Sequence, residues 1–379
     1  MYEKGAFWYK NPVHLTLSGG ILVHRRRCIR EIIGRHFGVF RKSQRKTMGD
    51  LTLGLLRSGK AGEAGIARGM ISPTTVRHSI KRIWRFCQNV RIRPEVVMLC
   101  LVRWLVPEDC PTVVALDWTY LTDYVMLAAK VAVAGRAVPV GWTVMKKGQF
   151  DADKNSRNTV EEDLIRRLNE AMEGRRWILV GDRGFARADL IRKLTQWGIE
   201  FVIRAHTGTW TEVGDFSDRL YNLACEPAEA RRYERIRYQK TMRVEVGLVT
   251  THAEPAPEAW YLLTNVEAEA ESVCDLYRQR MWIEEAFRDA KGNLGLEKVW
   301  LAAAQRMERM MIVVALGMAV AILVGLKWRR EHPGQDPQLT TKRKGYSLSV
   351  FLLGLYMIQR EGFPPGLLNE PLFVVLSEA

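Results

Sequence analysis

Between residues 271 and 294 the chain reads ESVCDLYRQRMWIEEAFRDAKGNL. Wound at about 100° per residue, Tyr277, Arg280, Glu284, Arg288 and Lys291 fall within a sector roughly 80° wide. Leu276, Ile283, Phe287, Ala290 and Leu294 form the adjoining apolar stripe, which would pack on a sheet. A carboxylate flanked by cations and a phenol suits a metal ion held beside phosphates. The plain alternative is an Arg280–Glu284–Arg288 ion-pair ladder, worth only tenths of a kcal/mol. Two more carboxylates interrupt or end apolar runs: Asp117 in TVVALDW and Asp182 in RWILVGD. At the end of a buried strand a carboxylate costs solvation unless it is paired or binds a cation, although Asp also commonly begins the turn after a strand. Neighbouring carboxylates suit Mg2+ or Mn2+, which take oxygen ligands and share them with substrate phosphates.

Positioning these acids requires a particular order of elements. The β-rich runs 112–118, 123–133 and 136–145 are separated by short spacers, so a meander of neighbouring strands is expected. A helical segment at 158–172 follows, with Leu164, Leu168 and Ala171 on one side. Then come a strand at 176–182, a helix at 186–197 and a strand at 200–205. The β-β-β-α-β-α-β order places the first and fourth strands side by side, and with them Asp117 and Asp182. Residues 206–265 read as further strands and turns. From about 299 onwards the chain reads as mostly helical, apart from a polar loop at 331–345. The expected class is α/β, a mixed sheet with helices.

The 379 residues carry a net charge of +15, and its distribution is uneven. Residues 1–110 hold 21 Lys and Arg against 7 Asp and Glu, leaving about one net charge for the rest. A polyanion partner is the natural reading, nucleic acid ahead of membrane. Basic residues are interleaved with Ile, Val and Phe over 24–46. Residues 61–89 outline a helix-turn-helix: a short helix at 64–68, Ser72 as cap, Pro73 at the first helical position, and a second, basic helix. That helix would turn Val76, Ile80, Ile83 and Trp84 to a core, and Arg77, Lys81, Arg82 and Arg85 elsewhere; a merely solvated basic face gives the same pattern. The apolar run 310–326 is at the short edge of a membrane span, and a buried central helix is the better reading. Six cysteines and seven histidines are scattered without ligand spacing. The opening MYEKGAFWYK lacks the apolar core of a secretory leader, so a reducing cytoplasm is expected.

Tyr277, Arg280, Glu284 and Lys291, at successive spacings of three, four and seven, resemble the Y-R-E-K signature of DDE transposases of the insertion-sequence-four family. Asp117 resembles the family's first catalytic Asp, and Asp182, in GDRGF, the second. The resemblance covers roughly residues 60–330. It implies a ribonuclease-H-like core over 111–205 and 266–330, interrupted by a β-rich insertion at 206–265. A helical DNA-binding domain over 1–110 would precede it, and a helical segment without assignable role, 331–379, would follow. It further implies that Asp117, Asp182 and Glu284 hold two Mg2+ ions, replaceable by Mn2+. The protein would then cut double-stranded DNA at the inverted-repeat ends of an insertion sequence and join the 3′-OH ends to target DNA, as a homodimer in a prokaryotic cytoplasm, without a membrane. Tyr277, Arg280, Arg288 and Lys291 are implied as phosphate contacts, with Arg183 and Arg204 as further candidates. Arg77, Lys81 and Arg82 are the candidates in the helix-turn-helix. Trp210 or Trp260 would stack on a flipped base. Many members carry Trp directly after the signature Arg; here that place is Met281, with Trp282 one further on. A DNA-binding regulator that has lost catalysis is the rival reading.

Overall fold

A computed structural model describes residues 19–152, 154–225, 229–252, 258–334, 348–364 and 367. Most of the expected segment 331–379 lies outside these residues. Five helices come first: α1 (Gly19–His36), α2 (Lys42–Ser58), α3 (Glu63–Gly69), α4 (Val76–Gln88) and α5 (Pro94–Leu105). Strands β1 (Thr112–Tyr120), β2 (Tyr124–Val133) and β3 (Arg136–Lys146) form an antiparallel meander. Its second hairpin closes on Ala134-Gly135, with φ of 44° and 75°. Two consecutive positive φ values mark the turn whose twist matches the flanking strands. Next come α6 (Lys147–Ala152), α7 (Lys154–Met172), β4 (Trp177–Gly181), α8 (Ala188–Gln196) and β5 (Glu200–Arg204). Strand β4 is parallel to both β1 and β5.

Residues 206–265 supply β6 (Trp210–Val213), β7 (Phe216–Arg219), β8 (Ala230–Tyr238), β9 (Val244–Thr251) and β10 (Trp260–Thr264). Strand β10 runs antiparallel to β5, so these strands continue the same sheet, ten strands in the order β3-β2-β1-β4-β5-β10-β9-β8-β6-β7. The fold is thus a mixed α/β sheet with helices, preceded by a helical region, consistent with a ribonuclease-H-like core.

The expected single helix over 271–294 is broken. It is α9 (Ala270–Arg278), α10 (Met281–Arg288) and a π-helical turn over Asp289–Asn293. At the junction the amides of Gln279, Arg280, Trp282 and Ile283 bond three residues back rather than four. Such tightening eclipses side chains three apart. It stacks Arg280 over Tyr277, where a regular helix would offset them. The π turn then loosens the coil before Lys291, and single π turns frequently occur at functional sites.

The helix-turn-helix expectation needs two corrections. Helix α4 starts at Val76 rather than Pro73, because Thr75 caps it, accepting from the His78 amide. Its buried stripe is Ser79, Ile83, Phe86 and Cys87, while Val76 and Trp84 are exposed. Helix α4 packs on α3 and on the long α11 (Ala304–Glu331), and that packing selects the stripe that is buried.

Helix α11 contains the span-like stretch 310–326, and its apolar window is entirely buried. It packs on β3, α2, α4, α5 and α12 (Val350–Arg360), joining the N-terminal helices and the sheet through one core. An all-round apolar helix therefore faces protein on every side. Its crossing with α12 requires glycine. A Cβ on Gly354 would stand 1.7 Å from the Ala321 carbonyl oxygen, and one on Gly325 1.9 Å from that of Val350. Gly354→Ala should therefore lower unfolding free energy by about 3 kcal/mol, the upper part of the overpacking range. Gly148→Ala, in α6 with no atom within 4 Å of the added Cβ, should be neutral or slightly stabilising. Urea unfolding of the two variants checks this; equal midpoints would contradict the close crossing.

Candidate active site

The parallel trio β1, β4 and β5 sets the geometry. Leu116 pairs with Gly181 and Gly181 with Ile203, so the next residues along, Asp117, Asp182 and Arg204, form a row across the sheet. The carboxyl ends of parallel strands are where open α/β sheets bind ligands. Asp117 accepts from the Trp118 amide at 2.8 Å, and Asp182 from the Gly184 amide at 2.8 Å. Helices α9 and α10 cover the face of the sheet to which Asp117 points. The apolar stripe is there as expected: Ile283, Phe287, Ala290 and Leu294 are buried, and Val273, Cys274 and Tyr277 join a second core with Val113, Ile178 and Val202.

Electrostatic coupling shows which groups meet. Burial, and next the charge of Asp182, push the Asp117 carboxyl up to about 6; Glu284 adds to the rise, while Arg280 and the Trp118 amide oppose it. Arg280 donates to Glu284 Oε1 at 2.7 Å, with its guanidinium 5.9 Å from the centre of the Tyr277 ring. Tyr277 is buried, edge-on to Trp260 at 5.0 Å. Burial raises its phenol, and the charges of Arg280 and Arg204 resist that. Burial lowers Lys291, opposed by the charges of Glu297 and Asp117. Asp117 thus lies in the fields of Asp182, Glu284 and Arg280 and acts on Lys291, while Tyr277 meets those of Arg280, Asp182 and Arg204.

Other candidates lie elsewhere or are engaged. Arg288 leaves the sector: it is exposed and pairs with Glu285 at 2.6 Å, so the Arg280–Glu284–Arg288 ladder forms only in its first half. Arg183 and Arg204 share Glu258 Oε2, at 3.2 and 2.7 Å. Arg82 donates to the buried Asp50 at 2.6 Å and is not a freely projecting cation. Arg77 and Lys81 are exposed on α4, beside the exposed Trp84. Trp210 and Trp260 are both half-buried; Lys240 lies 4.9 Å from the Trp210 ring centre, and Tyr277 meets Trp260 edge-on. Met281 is exposed, with its sulfur 3.5 Å from an Arg280 nitrogen.

One residue was missed in the sequence. Lys130, 1% exposed on β2, donates to the Ile283 carbonyl at 3.4 Å and lies 3.1 Å from the Phe287 ring centre. Burial drives its amine well below the ordinary lysine range, against the charges of Asp117 and Asp289. A lone charge in the run DYVMLAAKVAV carried the same signal that singled out Asp117. Arg136 joins it in fixing this helix, ion-paired to Asp289 at 3.1 Å and to Glu285 at 3.6 Å.

Among the described residues, no three His, Cys, Asp or Glu side chains stand close enough to hold a metal as placed. The chemistry of the donor set nevertheless fits a divalent cation. Burial and the charges of Asp182 and Glu284 all oppose ionisation of Asp117, and a cation beside it would reverse that cost.

Stability should register the burial of the Asp117 charge first, and its repulsion by Asp182 second. An acid raised from 3.8 to about 6 in the fold contributes no penalty at pH 4, an increasing one between pH 4 and 6, and the full penalty above 6. At about 1.4 kcal/mol per unit, that is roughly 2–3 kcal/mol. Asp117→Asn should therefore unfold about 2–3 kcal/mol less readily at pH 7.5 in EDTA, with the difference vanishing near pH 4. An unchanged or lower stability at pH 7.5 would contradict the coupling.

No curated protein matches the chain. Residues 143–318 match a family model described as the transposase DDE domain. The match spans the second half of β3 to the middle of α11, and so takes in Asp182 and Glu284 but begins after Asp117. The likeness to that domain covers just under half of the chain.

Proposed function

We propose that this chain is a cut-and-paste transposase of the insertion-sequence-four type, with Asp117, Asp182 and Glu284 as its catalytic acids. The observation that carries the reading is the row formed by Asp117 and Asp182 on adjacent parallel strands, with Glu284 on the helix across the same face. These three carboxylates would hold two Mg2+ ions, with Mn2+ able to substitute. Such ions, when bound, sharpen a water nucleophile and stabilise the leaving oxygen of an in-line displacement at phosphorus.

The chain's own residues orient the DNA. Arg280 offers a guanidinium at the edge of the acid cluster; exchanging Glu284 for a phosphate oxygen would free that carboxylate and dock the strand by charge-assisted hydrogen bonds. Lys291, aimed by the π turn, adds a second phosphate contact. Tyr277, buried beneath Arg280, fixes its direction. Arg204 and Arg183 sit at the next strand end, where Glu258 would give way to a phosphate. On α4, Arg77, Lys81 and Arg85 present a basic face suited to duplex DNA. The DNA ends would be inverted repeats, joined in a homodimeric complex.

Glu284→Gln should abolish Mg2+-dependent cleavage of the element's terminal DNA while leaving duplex binding within about threefold. Arg288→Ala should change neither, since that side chain is paired with Glu285 rather than with Glu284. Gel analysis of labelled ends checks both. Undiminished cutting by Glu284→Gln would refute the assignment, and binding without cutting by the wild type would favour the regulator.

A further inference from the structure

The N-terminal helices contain a charge cluster that packing alone does not require. Asp50 on α2, its side chain 1% exposed, accepts hydrogen bonds from three arginines. Arg26 binds through Nε and Nη2 at 2.9 and 3.1 Å. Arg30, one turn later on α1, binds through the same edge at 2.8–3.1 Å. Arg82, from α4, donates Nη2 at 2.6 Å. Burial works to raise the Asp50 carboxyl, but the hydrogen bonds of Arg26 and Arg82 and the charges of Arg30 and Arg82 outweigh it and hold it below the ordinary carboxylate range.

One arginine would neutralise Asp50, so three leave a formal excess of two positive charges. The carboxylate's acceptor positions are filled, while each guanidinium carries five N–H donors. Arg26 and Arg30 turn their Nε edge inward, and among the described residues their Nη1 groups make no hydrogen bond. The three side chains remain 25%, 29% and 31% exposed. Exposed Lys46, one turn before Asp50 on α2, and exposed Lys81 and Arg85 beside Arg82 extend the positive surface. The buried carboxylate thus does for the arginines what a rigid scaffold does for a ligand: it fixes the forks before an anion arrives, reducing the ordering cost of binding.

We infer that Arg26, Arg30 and Arg82, held by Asp50, form a preorganised seat for a backbone phosphate of duplex DNA, separate from the cleavage site. The inference rests on the DNA-binding reading above. Helix α2 connects the two places: it ends at Gly59, and the following Ala61 amide bonds to the Leu294 carbonyl, just beyond the π turn. Asp50 lies nine residues before Gly59, about 14 Å along the helix.

The test is the salt dependence of duplex binding without divalent metal, so that no cutting contributes. It compares wild type, Arg26→Gln, Arg30→Gln and Arg27→Gln, the last a surface arginine paired only to Glu31. Each single cluster variant leaves two guanidinium groups on Asp50, and thermal melts verify folding. Arg26→Gln and Arg30→Gln should each reduce the log–log salt slope by about 0.9 and weaken binding at low salt severalfold. Arg27→Gln should leave both unchanged. An unchanged slope in the cluster variants, or an equal loss in Arg27→Gln, would overturn the inference. Inorganic phosphate that binds wild type and not the variants, with the duplex slope unaltered, would mark a free-anion site and overturn the assignment to DNA. Should the Gln variants not fold, Arg26→Lys and Arg30→Lys keep the charge and lose the fork; weaker duplex binding at an unchanged slope is expected, and unchanged affinity would contradict the seat. Cleavage by Glu284 variants reads a different site, so failure of either reading leaves the other distinguishable.

Discussion

Two carboxylates on neighbouring parallel strands, partly withdrawn from water, repel each other, and much of the surrounding structure answers that repulsion. Burial first, and then that repulsion, leave Asp117 as a carboxyl raised to about 6. Around it the fold sets cations at graded depth: Lys130 fully buried below, Arg280 in an ion pair at the rim, Lys291 half-buried on the π turn, and Arg204 at the adjoining strand end. None of these occupies the space between the two aspartates with a hydrogen bond. The site is therefore short of positive charge at its centre and supplied with it at its edge. That is the distribution expected where a divalent cation belongs in the middle and phosphates at the periphery.

Holding such a site calls for a firm backing. Helix α10 is tied to the meander by Lys130 at the Ile283 carbonyl and by Arg136 at Glu285 and Asp289. The segment after Lys291 is fastened to the β1–β2 turn, where Thr122 donates to the Glu297 carbonyl at 2.6 Å and Tyr124 to that of Leu301. Behind the sheet edge, α11 draws the N-terminal helices onto β3. The basic N-terminal helices and the sheet that carries the acids thus pack into one core.

Much of this arrangement was legible in the residues. Apolar runs with short spacers specified the meander, and the strand order that follows places Asp117 beside Asp182. The stripe of Ile283, Phe287, Ala290 and Leu294 specified how the last acid's helix lies on the sheet. What escaped was local backbone geometry and long-range pairing. Helical spacing placed Arg288 one turn from Glu284, but its side chain pairs with Glu285 instead, a choice that periodicity does not fix. Thr75 outcompeted Ser72 as a cap, a choice settled by how α4 meets α3 and α11. Arg82 was engaged by Asp50, 32 positions earlier, and no local pattern reveals such a partner. Lys130 was legible in principle, since a charge inside a buried strand asks the same question as Asp117.

The central claim is that the carboxylates of Asp117, Asp182 and Glu284 together form a divalent-cation site. Electron paramagnetic resonance of Mn2+ titrated into the protein bound to its terminal DNA tests it directly, without relying on turnover. Two ions should bind to the wild type, and Asp182→Asn should lose at least one while still binding DNA. The same number of ions bound with the same affinity by Asp182→Asn would contradict the account.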